Sequence, residues 1–116
     1  MNLSHVLVYS DDAAYYEMVS ALLPSDCLSS EVHSIPEIHH ILSRETISLI
    51  IVALERTDSI PQLINLAQYI EAIPIILIYP ADMKQDTNDL SAALKPVASL
   101  NYPLQPMFFR ATVRRA

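Results

Sequence analysis

Apolar residues fall along this chain in two alternating patterns: short unbroken runs, and stripes spaced three and four apart. His5–Tyr9 (His-Val-Leu-Val-Tyr) is a β-branched apolar run that ends abruptly in Ser10-Asp11-Asp12. Ser48–Leu54 and Pro74–Tyr79 are further unbroken runs, the second ended by Pro80. Runs of this length bounded by turn residues are read as buried strands. Cys27–His33 is a weaker strand, with Leu28 and Val32 its main apolar residues, and Leu100–Leu104 is a short last one.

The stripes lie between these runs. Tyr15, Met18, Val19 and Leu22 are at helical spacing within Ala13–Leu23, with Asp12 as N-cap and Pro24 as stop. Ser34-Ile35-Pro36-Glu37 has the form of a capping box with proline in the first turn, and Ile35, Ile38, Ile41 and Leu42 line the helix it opens. Ser59-Ile60-Pro61-Gln62 repeats that logic for a third helix carrying Leu63, Leu66, Ala67 and Ile70. Asp86–Leu94, stopped by Lys95-Pro96, and Met107–Ala116 complete five alternations of strand and helix. Continuous apolar strands separated by amphipathic helices predict an α/β fold, a flavodoxin-like, doubly wound, five-stranded parallel sheet with helices on both faces. Ligands of such sheets sit at the carboxyl ends of the strands. No internal repeat or linker interrupts residues 1–116, which read as one domain.

Composition narrows the functions. A chain of 116 residues with 52% hydrophobic content can bury one core, and a charged fraction of 17% is low enough to suggest that a partner covers some surface. The formal charge of −6 gives no general attraction to nucleic acid or to an anionic membrane. Charge is uneven, because Arg110, Arg114 and Arg115 fall in the last seven positions. The apolar runs are far below the roughly 18 residues of a membrane span, and the first residues lack a basic, apolar leader. The one cysteine, Cys27, excludes an intrachain disulfide and fits a reducing, cytoplasmic location; it reads as a small apolar filler. There is no glycine, which excludes the glycine-rich phosphate loops and leaves helix ends to Asn, Asp or Pro.

Three predicted strand ends converge on the carboxyl edge: Ser10-Asp11-Asp12, Ala53-Leu54-Glu55 and Tyr79-Pro80. On these residues, and over essentially its whole length, the chain resembles the receiver (CheY-like) domains of two-component response regulators. Val6-Leu-Val-Tyr-Ser-Asp-Asp-Ala-Ala14 is similar to the first strand and its acidic cluster. Ser48–Leu54 takes the place of the phosphoacceptor strand, Ile73–Tyr79 that of the fourth strand, and Tyr102-Pro-Leu-Gln-Pro106 resembles the family's Tyr-Leu-Thr-Lys-Pro. The resemblance implies a degenerate phosphorylation site made of Ser10, Asp11, Asp12, Ala53, Glu55, Tyr79 and Gln105. Ala53 stands for the phosphorylated aspartate, Gln105 for the lysine, Tyr79 for the hydroxyl residue and Ser10 for the first paired acid; Tyr102 is the switch-like aromatic. The resemblance also suggests a cis Gln105–Pro106 bond.

Phosphoryl capture requires a carboxylate nucleophile, a cation held by oxygens and a compensating positive charge. Alanine and glutamine supply neither nucleophile nor charge, so no phosphorylation and weak or absent Mg²⁺ binding are expected. Several readings stay open at this level. Asp11 and Asp12 serve as a relic metal pair or as N-cap and first-turn acid; Glu55 lends the pocket a carboxylate or lies in water; Tyr102 is a switch or a half-buried tyrosine. His33, His39 and His40 are a poor metal set, because neighbouring helical residues point about 100° apart. Ser10 has no base beside it, so no enzyme is expected, and no cofactor or metal.

The expected function is a non-phosphorylatable signalling module that docks on a protein partner or its own output domain, such as a transcription regulator, or that forms a homodimer. The docking face is placed on Lys84–Leu94, Leu100–Leu104 and the last helix, where Met107, Phe108 and Phe109 in a row exceed what one helix side buries. Arg110, Arg114 and Arg115 are a solvated helix end or an arm leading into an output domain, which would make the chain the N-terminal part of a larger regulator. The alternative is a sensor of a nucleotide or other small ligand at the carboxyl edge.

Overall fold

The computed structural model describes residues 4–70 and 72–116. Five strands, β1 (Ser4–Ser10), β2 (Cys27–Val32), β3 (Leu49–Ala53), β4 (Ile75–Tyr79) and β5 (Ala98–Asn101), alternate with five helices. The helices are α1 (Ala13–Leu22), α2 (Ile35–Leu42), α3 (Ile60–Leu66), α4 (Asn88–Leu94) and α5 (Pro106–Arg115). The sheet is parallel throughout, in the order β2-β1-β3-β4-β5. This is the doubly wound topology that the alternating pattern predicts.

All five residues of β3 and all five of β4 are buried, as strands covered on both faces must be. Strand alternation divides the sheet residues between two cores. Leu7, Tyr9, Ile50, Val52, Leu77 and Tyr79 pack beneath α2, α3 and α4. Val6, Val8, Ile51, Ala53, Ile76 and Ile78 pack with Val19 of α1 and with Phe109 and Val113 of α5.

Helix entries show which capping signals are effective. Asp12 is extended at φ −149° and accepts from the Ala14 N–H, and Ser34, at φ −144°, accepts from the Glu37 N–H. Ser59 shares Ser34's sequence signature but not its geometry. Its backbone is already helical at φ −92° and ψ −2°, so the side chain makes no cap bond and its Oγ is buried without a partner among the described residues. α4 ends on Lys95, at φ 51° and ψ 56° the one non-glycine residue of positive φ among those described, where Asn, Asp or Pro was expected.

Two expectations for the C-terminal segment change. Phe109 is fully buried, whereas Met107 and Phe108 are 85% and 57% exposed. Phe109 is therefore a core residue and not part of a docking face; the helix turns it inward and its two predecessors outward. Arg110 is not a free cation either, because its Nε donates to the Leu22 carbonyl at 3.0 Å and fastens α5 to the last turn of α1. No helix of the described residues is long and apolar enough to cross a membrane.

Candidate functional site

The strand order reverses between β1 and β3, and at their carboxyl ends such a sheet opens a crevice. In register, Ser10 lies beside Ala53, which lies beside Ile78. Two of the expected site residues, Ser10 and Ala53, are fully buried there. Ala53 contributes a methyl group to the apolar cluster beneath α1 and α5.

Asp11 closes the crevice. Its carboxylate accepts from the Glu55 N–H at 2.9 and 3.1 Å and from the Arg56 N–H at 2.8 Å, while its carbonyl accepts from the Arg56 guanidinium at 2.7 Å. The β1–α1 and β3–α3 loops are thereby stapled together, with a cation built in beside the acids. Asp12 caps α1, accepting from the Ala14 N–H at 2.9 Å. Glu55, though exposed, has its carboxyl raised above the ordinary range by partial loss of water. A hydrogen bond to Asp12 and the charges of Asp12 and Asp11 raise it further, against the pull of Arg56.

Tyr102 completes the edge. Its ring stacks on Tyr15, centroids 4.5 Å apart and planes 14° apart, and its buried hydroxyl has no partner among the described residues. Burial pushes this hydroxyl's pKa well up, with smaller contributions from Tyr15, Asp11 and Glu55. Tyr15 is raised as well, by burial first and then by Glu55, Asp12 and Asp11.

Gln105 and Tyr79, also assigned from the sequence, do not join this set of side-chain contacts. Gln105 is an exposed residue at the start of α5, making no side-chain cap bond; it lines a groove with Leu100, Asn101, Pro103, Leu104 and Phe108. β5 ends at Asn101 and not at Leu104, and the cis peptide bond is Tyr102–Pro103 rather than Gln105–Pro106. Tyr79 lies on the opposite face of the sheet from Ala53, in the cluster with Leu54, Met83 and Leu90. Its carbonyl accepts from the Asn101 amide at 3.1 Å and from the Tyr102 N–H at 3.3 Å, which ties the ends of β4 and β5.

Arg56 and Tyr15 belong to the edge although the sequence does not single them out as site residues, and His33, weighed there only as a metal ligand, belongs to it too. Arg56 had a signal, being a basic residue one step beyond Glu55 in an otherwise acidic region. His33 stands beside Ser10, where the sequence leads one to expect no base: its Nδ1 donates to the Ser10 carbonyl at 2.9 Å and lies 3.5 Å from the Ser10 Oγ, and its Nε2 meets the Glu31 carboxylate. His39 packs edge-on against Tyr69 and His40 approaches Arg44. The described residues contain no group of three or more His, Cys, Asp or Glu placed to hold a metal.

No family model matches the sequence, and no curated protein matches it. Solved structures do. The signal receiver domain of an HD domain-containing protein from Pseudomonas fluorescens Pf-5 superposes with a TM-score of 0.82 at 15% identity, over 98% of this chain and 94% of that one. The fold is that of the response-regulator receiver domains. The N-terminal signal receiver domain of a two-component system response regulator from Bacteroides fragilis gives a TM-score of 0.80 at 14% identity, over 97% of this chain and 95% of that one. A CheY-like receiver domain protein from Methanospirillum hungatei JF-1 gives 0.78 at 14% identity, over 97% and 92%. In this chain, then, the carboxyl edge of a receiver fold carries a methyl group, a carboxylate committed to backbone N–H groups, a guanidinium and a stacked tyrosine pair.

Proposed function

We propose that the chain is a receiver-type signalling domain that cannot be phosphorylated and acts by protein contact. The observation that carries this reading is the buried methyl of Ala53 at the end of β3, beneath an Asp11 carboxylate already satisfied by two backbone N–H groups. An aspartyl phosphate needs a carboxylate at that position, where Ala53 offers only a methyl group. The donor set does not fit a divalent cation either. Asp11 is bound elsewhere, Asp12 caps a helix, and the Arg56 guanidinium lies where a cation would be repelled. Treatment with a small phosphodonor such as acetyl phosphate should leave the intact mass unchanged with or without Mg²⁺; a stable adduct of one phosphoryl group would overturn the reading.

The surface used is the open edge at β5. Val97, Met107 and Phe108 are exposed, and Phe108 stands between two grooves. One, of about 280 Å³, runs along Leu100, Pro103 and Leu104, and the other, of about 330 Å³, along Val97, Leu100 and Thr112. The occupant is a second copy or an attached output domain, such as a transcription regulator. An attached further domain fits the N-terminal receiver domain from B. fragilis and the receiver that belongs to an HD domain-containing protein.

A second reading, a small-ligand sensor, is favoured by one feature. A groove of about 500 Å³ opens at the carboxyl side among Tyr9, His33, Ser34, Ile35, Pro36, Gln62 and Asn65. A thermal-shift screen separates the two readings, because a ligand binding the folded state raises the melting temperature and a docking surface alone does not.

A further inference from the structure

His33 stands one residue past the end of β2, the strand at the opposite edge of the sheet from β5. Val32 pairs with Tyr9, so the next step of each strand sets His33 beside Ser10. Both ring nitrogens are engaged. Nδ1 lies 2.9 Å from the Ser10 carbonyl oxygen, with Ser10 Oγ at 3.5 Å, and Nε2 meets a Glu31 carboxylate oxygen. A carbonyl and a carboxylate only accept hydrogen bonds. A neutral imidazole has one N–H and can satisfy one of them, whereas an imidazolium satisfies both.

The charged groups facing the ring are both negative: Glu31 on its own strand and Glu37 from α2. Glu37 also accepts from the His33 N–H at 3.4 Å and from Ser34 Oγ at 3.0 Å, so the ring, the cap and the first turn of α2 are one network. β1 presents the neutral Ser10 and Tyr9, and α3 presents the neutral amides of Gln62 and Asn65 across the 500 Å³ groove. On the far side of Ser10, Asp11 staples the β3–α3 loop. Contacts therefore run along the carboxyl edge from Glu31 through His33 and Ser10 to Asp11, Glu55 and Arg56.

We propose that His33 is a proton-operated clasp: charged, it pins the end of β2 and the start of α2 to the end of β1, and neutral, it releases one of the two contacts and loosens that corner and the groove it walls. The device would give this edge a proton in place of a phosphoryl group as its input. It does not rest on the docking reading, which concerns the other edge of the sheet.

The direction of titration agrees. The hydrogen bond to the Ser10 carbonyl raises the His33 pKa; partial burial opposes this, and the hydrogen bond and charge of Glu31 and the charge of Glu37 add to the rise. A folded-state pKa above the unfolded one means the clasp's stabilisation is complete below the ordinary histidine value of about 6.5 and is lost as pH rises through the raised value. Alkaline conditions open the clasp.

The test is ring ¹⁵N NMR of the whole chain against pH. His33 should titrate above about 6.5, with both nitrogens protonated below its midpoint, and Glu31→Gln should lower that midpoint by about half a pH unit or more. Glu45→Gln, beside His5, should leave His33 unmoved. Amide exchange then reads the mechanical consequence: corrected for intrinsic rates, protection of β2 and the first turn of α2 should fall across the His33 midpoint in the parent chain and stay flat in His33→Gln. A His33 midpoint at or below the ordinary value, no response to Glu31→Gln, or identical exchange profiles in parent and His33→Gln would each overturn the proposal. The NMR arm needs no substitution of His33, so a poorly folding variant does not remove the test.

Discussion

Without glycine, the chain must reverse direction at residues that carry a Cβ, and Lys95 shows the consequence. Its left-handed backbone, φ 51° and ψ 56°, costs about 1–2 kcal/mol in an L-residue with a side chain. Glycine adopts this conformation freely but loses more entropy on folding, so Lys95→Gly should give a net stabilisation of about 0.5–1 kcal/mol. Denaturant unfolding should show a higher midpoint at unchanged slope; a lower midpoint would mean that the Lys95 side chain makes a stabilising contact. At this scale, residue types were legible and reach was not. Ala53 and Ser10 are where strand counting puts them, because a strand end fixes the backbone position of its last residue. Arg56 and His33 contribute through long or aromatic side chains that cross between loops, and chain order does not encode where such side chains end.

Helix α5 shows how one element divides between core and surface. Met107, Phe108 and Phe109 are adjacent, each turned about 100° from the last, so one faces the sheet and its neighbours cannot. Phe109 is that residue, fully buried beside Val113, four positions on. Phe109→Ala should cost about 3–5 kcal/mol by transfer loss and cavity formation, whereas Phe108→Ala should change monomer stability by no more than about 0.5 kcal/mol. Guanidinium unfolding of both variants checks the pair, and similar losses would mean that the helix sits in another rotation. The element reading succeeded where the pattern was continuous: β3 and β4 were found within one residue at each end. It was less accurate where prolines and polar residues interrupt. β5 ends three residues early, and the segment before α4 is a 3₁₀ turn, Ala81–Met83, joined by the buried Thr87, whose Oγ1 donates to the Met83 and Lys84 carbonyls. The two Ser-Ile-Pro entries look alike in sequence and differ in backbone, which only packing of the preceding loop decides.

For the whole molecule, the two edges of the sheet are unlike. The β2 edge is polar and titratable, held by His33 and Glu31. The β5 edge has an open strand flanked by Phe108 and two shallow grooves that share Leu100. A ridge beside a groove on one surface is self-complementary, since a two-fold axis places each copy's Phe108 against the other's groove. Sedimentation of the isolated chain should therefore show a reversible dimer at concentrations of about 100 µM or below, and Phe108→Glu should weaken it at least about tenfold by burying an unpaired carboxylate. Because the contact is chiefly apolar, added salt should weaken it little, in contrast to a dimer held by exposed ion pairs. A strict monomer, or a Phe108→Glu variant that still dimerises, would show that copies of this chain do not meet at the β5 edge. That outcome would leave an output domain as the occupant of the same face.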